Sequence, residues 1–239
     1  GLVGSEMCIR DSSRSFLKKI VVSEDPDKTL SNKEFPWLSY RDIEIGMCPV
    51  RALRVAYTGE LGWELHHPIE MQNYLLDILL SSGKEFNLKL VGARAQNWLR
   101  QEKSYKAFGS DLGRDAGPFE SKLSRFVDIN KNFLGKDALL KRKTDVSCVT
   151  LLIDGPKDID PWGREALYNE TEEVMLGRLT SAGYSVHFKR SIGIGYVKSS
   201  FSEVGTKLRI KIDDAFWNAE IVRDSPYDPE NERVIDRAQ

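Results

Sequence analysis

Hydrophobic and polar positions begin to alternate clearly from Pro49 onward. Leu53, Val55 and Tyr57 interleave with Ala52, Arg54 and Ala56 at the period of two that marks a half-buried strand. Gly59 and Gly62 then signal a tight loop, and Trp63 and Leu65 resume the alternation. The stretch from Arg51 to His66 is therefore expected to be a β-hairpin with a loop of about five residues. The period then changes. Pro68 opens a segment in which Met71, Tyr74, Leu75, Ile78 and Leu79 recur at helical spacing, and Gly83 closes it. A second helix is expected from about Gly92 to Tyr105, with Val91, Ala95, Trp98, Leu99 and Glu102 on one side and Gln96, Arg100 and Lys103 on another. The loop from Gly109 to Pro118 ends it. Two short segments, Ser124 to Ile129 and Phe133 to Leu139, lead into Lys141-Arg142-Lys143, which reads as a solvated interdomain link.

Beyond residue 145 the texture is that of short β-prone runs separated by turn residues. They are Cys148 to Ile153, Ala166 to Tyr168, Arg178 to Thr180, Ile192 to Val197, Lys207 to Ile212 and Trp217 to Val222. Such runs suit a small closed or nearly closed antiparallel barrel. The expected fold class is α+β: an N-terminal segment 1–44, a partial α+β domain 45–142, and a β-barrel domain 146–235.

Composition narrows the function. Hydrophobic residues make up 41% of the 239, enough for a substantial core. Lys+Arg 35 against Asp+Glu 36, with the signs interspersed, lacks the basic footprint of a nucleic-acid binder. The most apolar run, Tyr74 to Leu80, is broken by Asp77 and is far shorter than a membrane span. Cys8, Cys48 and Cys148 lie far apart, outside any zinc spacing, and read as reduced thiols. His66 and His67 are adjacent on a strand and so point to opposite faces, which leaves no metal site to propose. A reducing compartment is the expected location, and secretion is not. The first methionine is Met7, and residues 1–12 carry no targeting pattern; they resemble a translated sequencing-adapter peptide. The first twelve residues are accordingly expected to be non-native, and the chain to be the C-terminal part of a longer protein.

The chemistry concentrates in Tyr57-Thr-Gly-Glu-Leu-Gly-Trp-Glu-Leu65, where Glu60 stands between two glycines that let backbone and ligand approach closely. A carboxylate fixed on a tight loop can accept two adjacent N–H donors as a charge-assisted pair, as the 2-amino-4-oxopyrimidine edge of a pterin would offer. Taken alone, Gly-Glu-x-Gly also describes an ordinary turn.

The same segment resembles the YTGExGxE motif of the glycine-cleavage T-protein (aminomethyltransferase) family. Leu99-Arg-Gln-Glu-Lys103 resembles that family's LRxE segment, and Phe133-Leu-Gly-Lys-Asp-Ala-Leu139 its FxGKxAL segment. Leu179-Thr-Ser-Ala-Gly-Tyr-Ser185 and Ile194-Gly-Tyr-Val197 fit its C-terminal domain. Within the family, Gly92 to Asp111 and Pro226 to Asn231 are most similar to the folate-binding half of dimethylglycine and sarcosine dehydrogenases.

This resemblance implies a reaction split between two parts. A flavin domain, with FAD expected only in a missing N-terminal part, oxidises an N-methyl amine. The folate domain, in intramolecular contact with it, passes the one-carbon unit to tetrahydrofolate as 5,10-methylene-tetrahydrofolate. The implied small molecules are thus a folate and an N-methylated glycine derivative. Tyr57, Glu60, Arg94 and Gln96 are the implied cofactor-binding residues. The family's pterin-binding arginine aligns at Gln96, and this chain carries Arg94 two residues earlier. No catalytic residue is expected in this chain, because the family's acidic residue lies upstream of the YTGE loop; Asp111 and Asp115 do not replace it by position. Alone, the piece is expected to be inactive. Two alternatives share the fold: a stand-alone aminomethyltransferase or folate-dependent demethylase, and a non-catalytic folate-binding or structural module. The KGCxxGQE signature of the folate-binding iron–sulfur assembly proteins is absent.

Overall fold

The computed structural model describes residues 6–9 as backbone and residues 12–155 and 159–236 in full. The expectation about residues 1–12 falls largely outside this set. Packing divides the chain into two compact units, Gly1–Gln96 with Asp228–Gln239, and Asn97–Tyr227.

The first unit opens with β1 (Glu6–Ile9), α1 (Ser12–Ile20) and α2 (Pro26–Thr29). β2 (Tyr40–Ile45), β3 (Cys48–Leu53) and β4 (Gly62–His66) follow. A 3₁₀ turn over Ile69–Met71 then leads into α3 (Gln72–Ser82). The strands form one antiparallel sheet in the order β1-β4-β3-β2. Strict alternation puts Cys48, Val50 and Ala52 of β3, and Ile43 and Ile45 of β2, into the core. There Phe16 and Leu17 of α1 and Leu75 and Leu79 of α3 pack against them and Trp63. Burying each such leucine contributes about 1.5–3 kcal/mol.

The expected hairpin is present, with two corrections. Its pairing runs from Arg51↔His66 to Leu53↔Glu64, so the loop spans 54–61, longer than expected. Its phase is also shifted by one: Ala52 and Arg54 are buried, whereas Leu53, Val55 and Tyr57 are half-exposed. A shift of one residue exchanges the two faces of a strand. The pattern misled because Arg54, a charged residue, occupies a core position.

α4 (Ala93–Glu102) crosses from the first unit into the second. A loop with a 3₁₀ turn at Ser124–Phe126 follows, and then α5 (Lys136–Lys141). The barrel comprises β5 (Val146–Ile153), β6 (Ala166–Tyr168), β7 (Met175–Ser185), β8 (Arg190–Lys198), β9 (Lys207–Ile212) and β10 (Ala215–Val222). It closes antiparallel in the order β10-β5-β8-β7-β6-β9 around Leu151, Leu167, Leu179, Val197, Ile210 and Ile221. The last helix, α6 (Glu232–Ile235), returns to the first unit.

The sequence division at 142–146 falls between α5 and β5, away from the packing divisions at 96/97 and 227/228. Lys141, Arg142 and Lys143 are exposed, but Arg142 also donates to Glu120 at 2.9 Å. Burial works to raise the Glu120 pKa, and the Thr144 hydroxyl and Arg142 guanidinium outweigh it and hold the carboxyl below its ordinary value. Among the described residues, no helix is long and apolar enough to cross a membrane.

Candidate functional site

The hairpin loop is built from its base upward. Arg54 is 1% exposed and donates to the carbonyls of Phe35 (2.7 Å) and Ile235 (2.8 Å). Burial is the main cause that pushes its pKa down to about 10, and the neighbouring Arg14 charge adds to it. Gly59 turns the loop at φ 76°, a conformation that L side chains rarely adopt. Glu60 follows directly and is 8% exposed, with Oε2 3.8 Å from Arg233 Nη1. Thr58, two residues back, is 3% exposed, and its hydroxyl has no hydrogen-bond partner among the described residues. A buried carboxylate and a partnerless buried hydroxyl in one loop suit a polar ring that presents N–H donors. Pterin chemistry therefore fits this loop.

Tyr57 and Glu60 share the loop, Tyr57 being half-buried. Arg94 and Gln96 lie in the first turn of α4, where two positions differ by roughly 200° around the axis. The two side chains thus leave the helix in nearly opposite directions. Arg94 is exposed and Gln96 half-buried.

The second unit holds a polar cluster absent from the sequence expectation, which placed Arg100 and Lys103 together with Gln96 on the side of the helix away from Trp98 and Leu99. Arg100, Gln101, Glu102 and Lys103 are all buried, at 2%, 0%, 4% and 1% exposure. Arg100 donates to Asp111 Oδ2, to Ser181 Oγ and to the Tyr105 carbonyl, each at 2.7 Å. Asp111, set aside on the sequence, is 2% exposed. It also accepts from the Ala107 amide at 2.9 Å, from Thr180 Oγ1 at 2.5 Å and from Ser181 Oγ at 2.7 Å. Glu102 accepts from Ser185 Oγ at 2.5 Å. Trp98 lies against Gly183, where a Cβ would stand 2.1 Å from Trp98 Cδ1. Two segments that resemble family motifs, 99–103 and 179–185, are therefore joined to each other. The available signal was a run of charges at a helix end that is followed closely by Asp111. Arg100, Glu102 and Asp111 are hydrogen-bonded within the cluster, whereas Gln101 Oε1 has no hydrogen-bond partner among the described residues.

Cys148 lies beside this cluster at 1% exposure, and burial pushes its thiol up to about 12. With a folded value raised from 9.0, the stability it contributes is complete below pH 9 and is lost as pH rises toward about 12. At pH 8 the folded thiolate fraction is on the order of a thousandth of that in the unfolded chain. Iodoacetamide at pH 8 is expected to leave Cys148 unmodified in the native protein and to label it in urea, as read by peptide mass spectrometry. Equal labelling in both states would show that the thiol is not sequestered.

The chain combines a sheet-and-helix unit that carries the carboxylate loop with a closed six-stranded barrel. The GCVT N-terminal domain model matches residues 12–131, and the Glycine cleavage T-protein C-terminal barrel domain model matches residues 147–228. The chain belongs to the glycine-cleavage T-protein family. It is 35% identical over 221 residues to dimethylglycine dehydrogenase, mitochondrial, of Homo sapiens, covering 89% of this chain and 24% of that protein. It is 30% identical over 202 residues to an aminomethyltransferase of Caldanaerobacter subterraneus subsp. tengcongensis, covering 84% and 54%. The fold matches the crystal structure of glycine cleavage system aminomethyltransferase T from Bartonella henselae, with TM-score 0.74 and 20% identity over 91% of this chain and 57% of that one. The chain spans about a quarter of the length of the dimethylglycine dehydrogenases it matches.

Proposed function

We propose that this chain is the folate-binding, one-carbon-transfer portion of a dimethylglycine or sarcosine dehydrogenase-like enzyme. The observation that carries this is Glu60, a carboxylate buried at 8% exposure on a glycine-turned loop, in a chain of this family. Glu60 accepts the N–H donors of the pterin edge, the Thr58 hydroxyl lies beside it, and Tyr57 packs under the loop. On α4, Gln96 sits on the more enclosed side and offers an amide, without charge, where the family resemblance implies an arginine. Arg94, exposed on another face, meets the ligand's outer part. Bound tetrahydrofolate would supply the nitrogens that accept the one-carbon unit. Residues 45–142 carry the candidate folate site and the six barrel strands lie within 146–235, with α6 returning to the first unit. The oxidation of the N-methylated glycine derivative, its FAD and the catalytic carboxylate belong to polypeptide outside these residues, in a bacterial cytoplasm or mitochondrial matrix.

A stand-alone aminomethyltransferase is the second reading; the higher identity to dimethylglycine dehydrogenase than to aminomethyltransferase favours the first.

In the full-length protein, Glu60→Gln is expected to weaken tetrahydrofolate binding. It exchanges a charged acceptor for an amide that turns a donor toward a donor. Losing a charge-assisted pair costs about 1.5–3 kcal/mol, roughly ten- to a hundred-fold in affinity. Titration calorimetry measures this, and an unchanged Kd in a folded Glu60→Gln protein would place the pterin elsewhere.

A further inference from the structure

The segment around α6 contacts the hairpin loop at both of its ends. At the loop's start, the Ile235 carbonyl accepts from Arg54 Nη2 at 2.8 Å. Near the loop's end, Arg233 Nη1 stands 3.8 Å from Glu60 Oε2. Between them Val234 is 2% exposed. The Asp236 carboxylate lies 3.0 Å from Arg14 Nη2, and its backbone carbonyl accepts from Asn32 Nδ2 at 2.7 Å. Asp228 braces the turn by accepting from the amides of Glu232 at 2.9 Å and Arg233 at 3.2 Å. Asn231 and Asp236 bracket the segment at φ 58° and 57°.

The charges beneath explain why this segment and the loop would move together. Arg14 and Arg54 are 2% and 1% exposed, and each raises the cost of the other's charge. Asp236 acts on both as the favourable counter-charge. Arg14 also donates to the Leu30 carbonyl and Arg54 to the Phe35 carbonyl, so both guanidiniums are rooted in the unit's interior. Lifting residues 233–236 would remove the Ile235 carbonyl from Arg54 and the Asp236 counter-charge from Arg14, leaving two like charges buried together. The base of the loop could then relax only by letting water in.

We propose that residues 233–236 are a strap that positions the 54–61 loop, with Asp236 and Arg233 as positioning residues for Glu60. The strap's effect on a ligand rests on the folate reading given above; its effect on the loop does not. A ligand that needs Glu60 in place binds the strapped state better, and by linkage its binding holds the strap down.

The test is hydrogen–deuterium exchange on the full-length protein without folate, followed by calorimetry with tetrahydrofolate. Asp236→Ala is expected to speed exchange about ten-fold or more in peptides covering both 228–236 and 54–61. Asp236→Glu should recover most of the protection. Arg233→Ala, at an exposed side chain with little risk to folding, should loosen the 54–61 peptide by a smaller factor. Asp236→Ala should also weaken tetrahydrofolate binding by about ten-fold. Faster exchange confined to 228–236, with 54–61 at the wild-type rate in both alanine variants, would overturn the strap. Coupled exchange in a protein that binds no tetrahydrofolate would support the strap and overturn the folate reading alone.

Discussion

Asp111→Ala is expected to cost about 3–5 kcal/mol of stability, the range for removing one partner of a buried ion pair. Four donors converge on this carboxylate: the Arg100 guanidinium, the Ala107 amide and the hydroxyls of Thr180 and Ser181. With the carboxylate gone, Arg100 keeps Ser181, Asn97 and the Tyr105 carbonyl, all neutral, around a guanidinium that is 2% exposed. The charge, more than the lost bonds, makes the effect large. Replacing both partners with apolar residues, Arg100→Met with Asp111→Leu, is accordingly expected to recover a substantial part of the loss. The pair Arg190–Asp154, at 36% and 58% side-chain exposure, supplies the comparison in the same unit. Solvent screening there limits the loss from Asp154→Ala to about 0–1 kcal/mol. Urea unfolding of the variants measures all of these. An Asp111→Ala loss no greater than that of Asp154→Ala would mean that the cluster is hydrated and carries little of the fold.

The barrel was legible because each of its strands leaves a local mark. β-branched and aliphatic residues recur in short runs, turn residues separate them, and closure satisfies every edge without long-range information. Each of the six expected runs lies within or coincides with one of β5 to β10. α3 was legible for a similar reason, since its apolar spacing meets one continuous core. Where charged groups enter the interior, the pattern fails. Arg54 reversed the apparent phase of β3, and the two-sided pattern of α4 gave no sign that residues 100–103 are all buried. A periodicity argument assigns charge to the surface. What overrides it here is a partner supplied from far along the chain: Ile235 for Arg54, and Ser181 for Arg100.

The same limit applies to the candidate site. Glu60 and its glycine-turned loop could be named from nine consecutive residues, since a tight turn and its carboxylate are local. Arg233 could not, because it lies 173 positions away and reaches Glu60 only through the return of the last helix to the first unit. Arg94 and Gln96 were both candidates through the family resemblance; helical geometry sends them to different faces.

The closing prediction concerns Gly177, in β7. A Cβ built there would stand 1.9 Å from the Tyr196 carbonyl oxygen and 2.8 Å from Val197 Cα. These are backbone atoms of β8, which pairs with β7 through Gly177↔Val197, so no side-chain rotation relieves the contact. Gly195, across the same ladder, faces the Arg178 carbonyl at 2.5 Å. The ladder also shifts register between Leu179 and Ser181. Bulged, strongly twisted pairing of this kind lets a short antiparallel sheet curl into a closed barrel, and glycine permits the close approach. Because the barrel is closed, β8 cannot retreat without disturbing its pairing with β5. Gly177→Ala is therefore expected to cost about 3 kcal/mol, at or above the upper end for overpacking. Two alanine variants separate this steric cause from the ordinary effects of glycine. Gly205 has φ 89° and nothing within 4 Å of its Cβ, so Gly205→Ala should cost about 1–2 kcal/mol from backbone strain alone. Gly113 is open in space, with no positive φ, and Gly113→Ala should be neutral or stabilising by up to about 1 kcal/mol. Thermal or urea unfolding should give the order Gly177 > Gly205 > Gly113, and a Gly177→Ala protein as stable as Gly113→Ala would show that β7 and β8 can separate at this point without loss to the barrel.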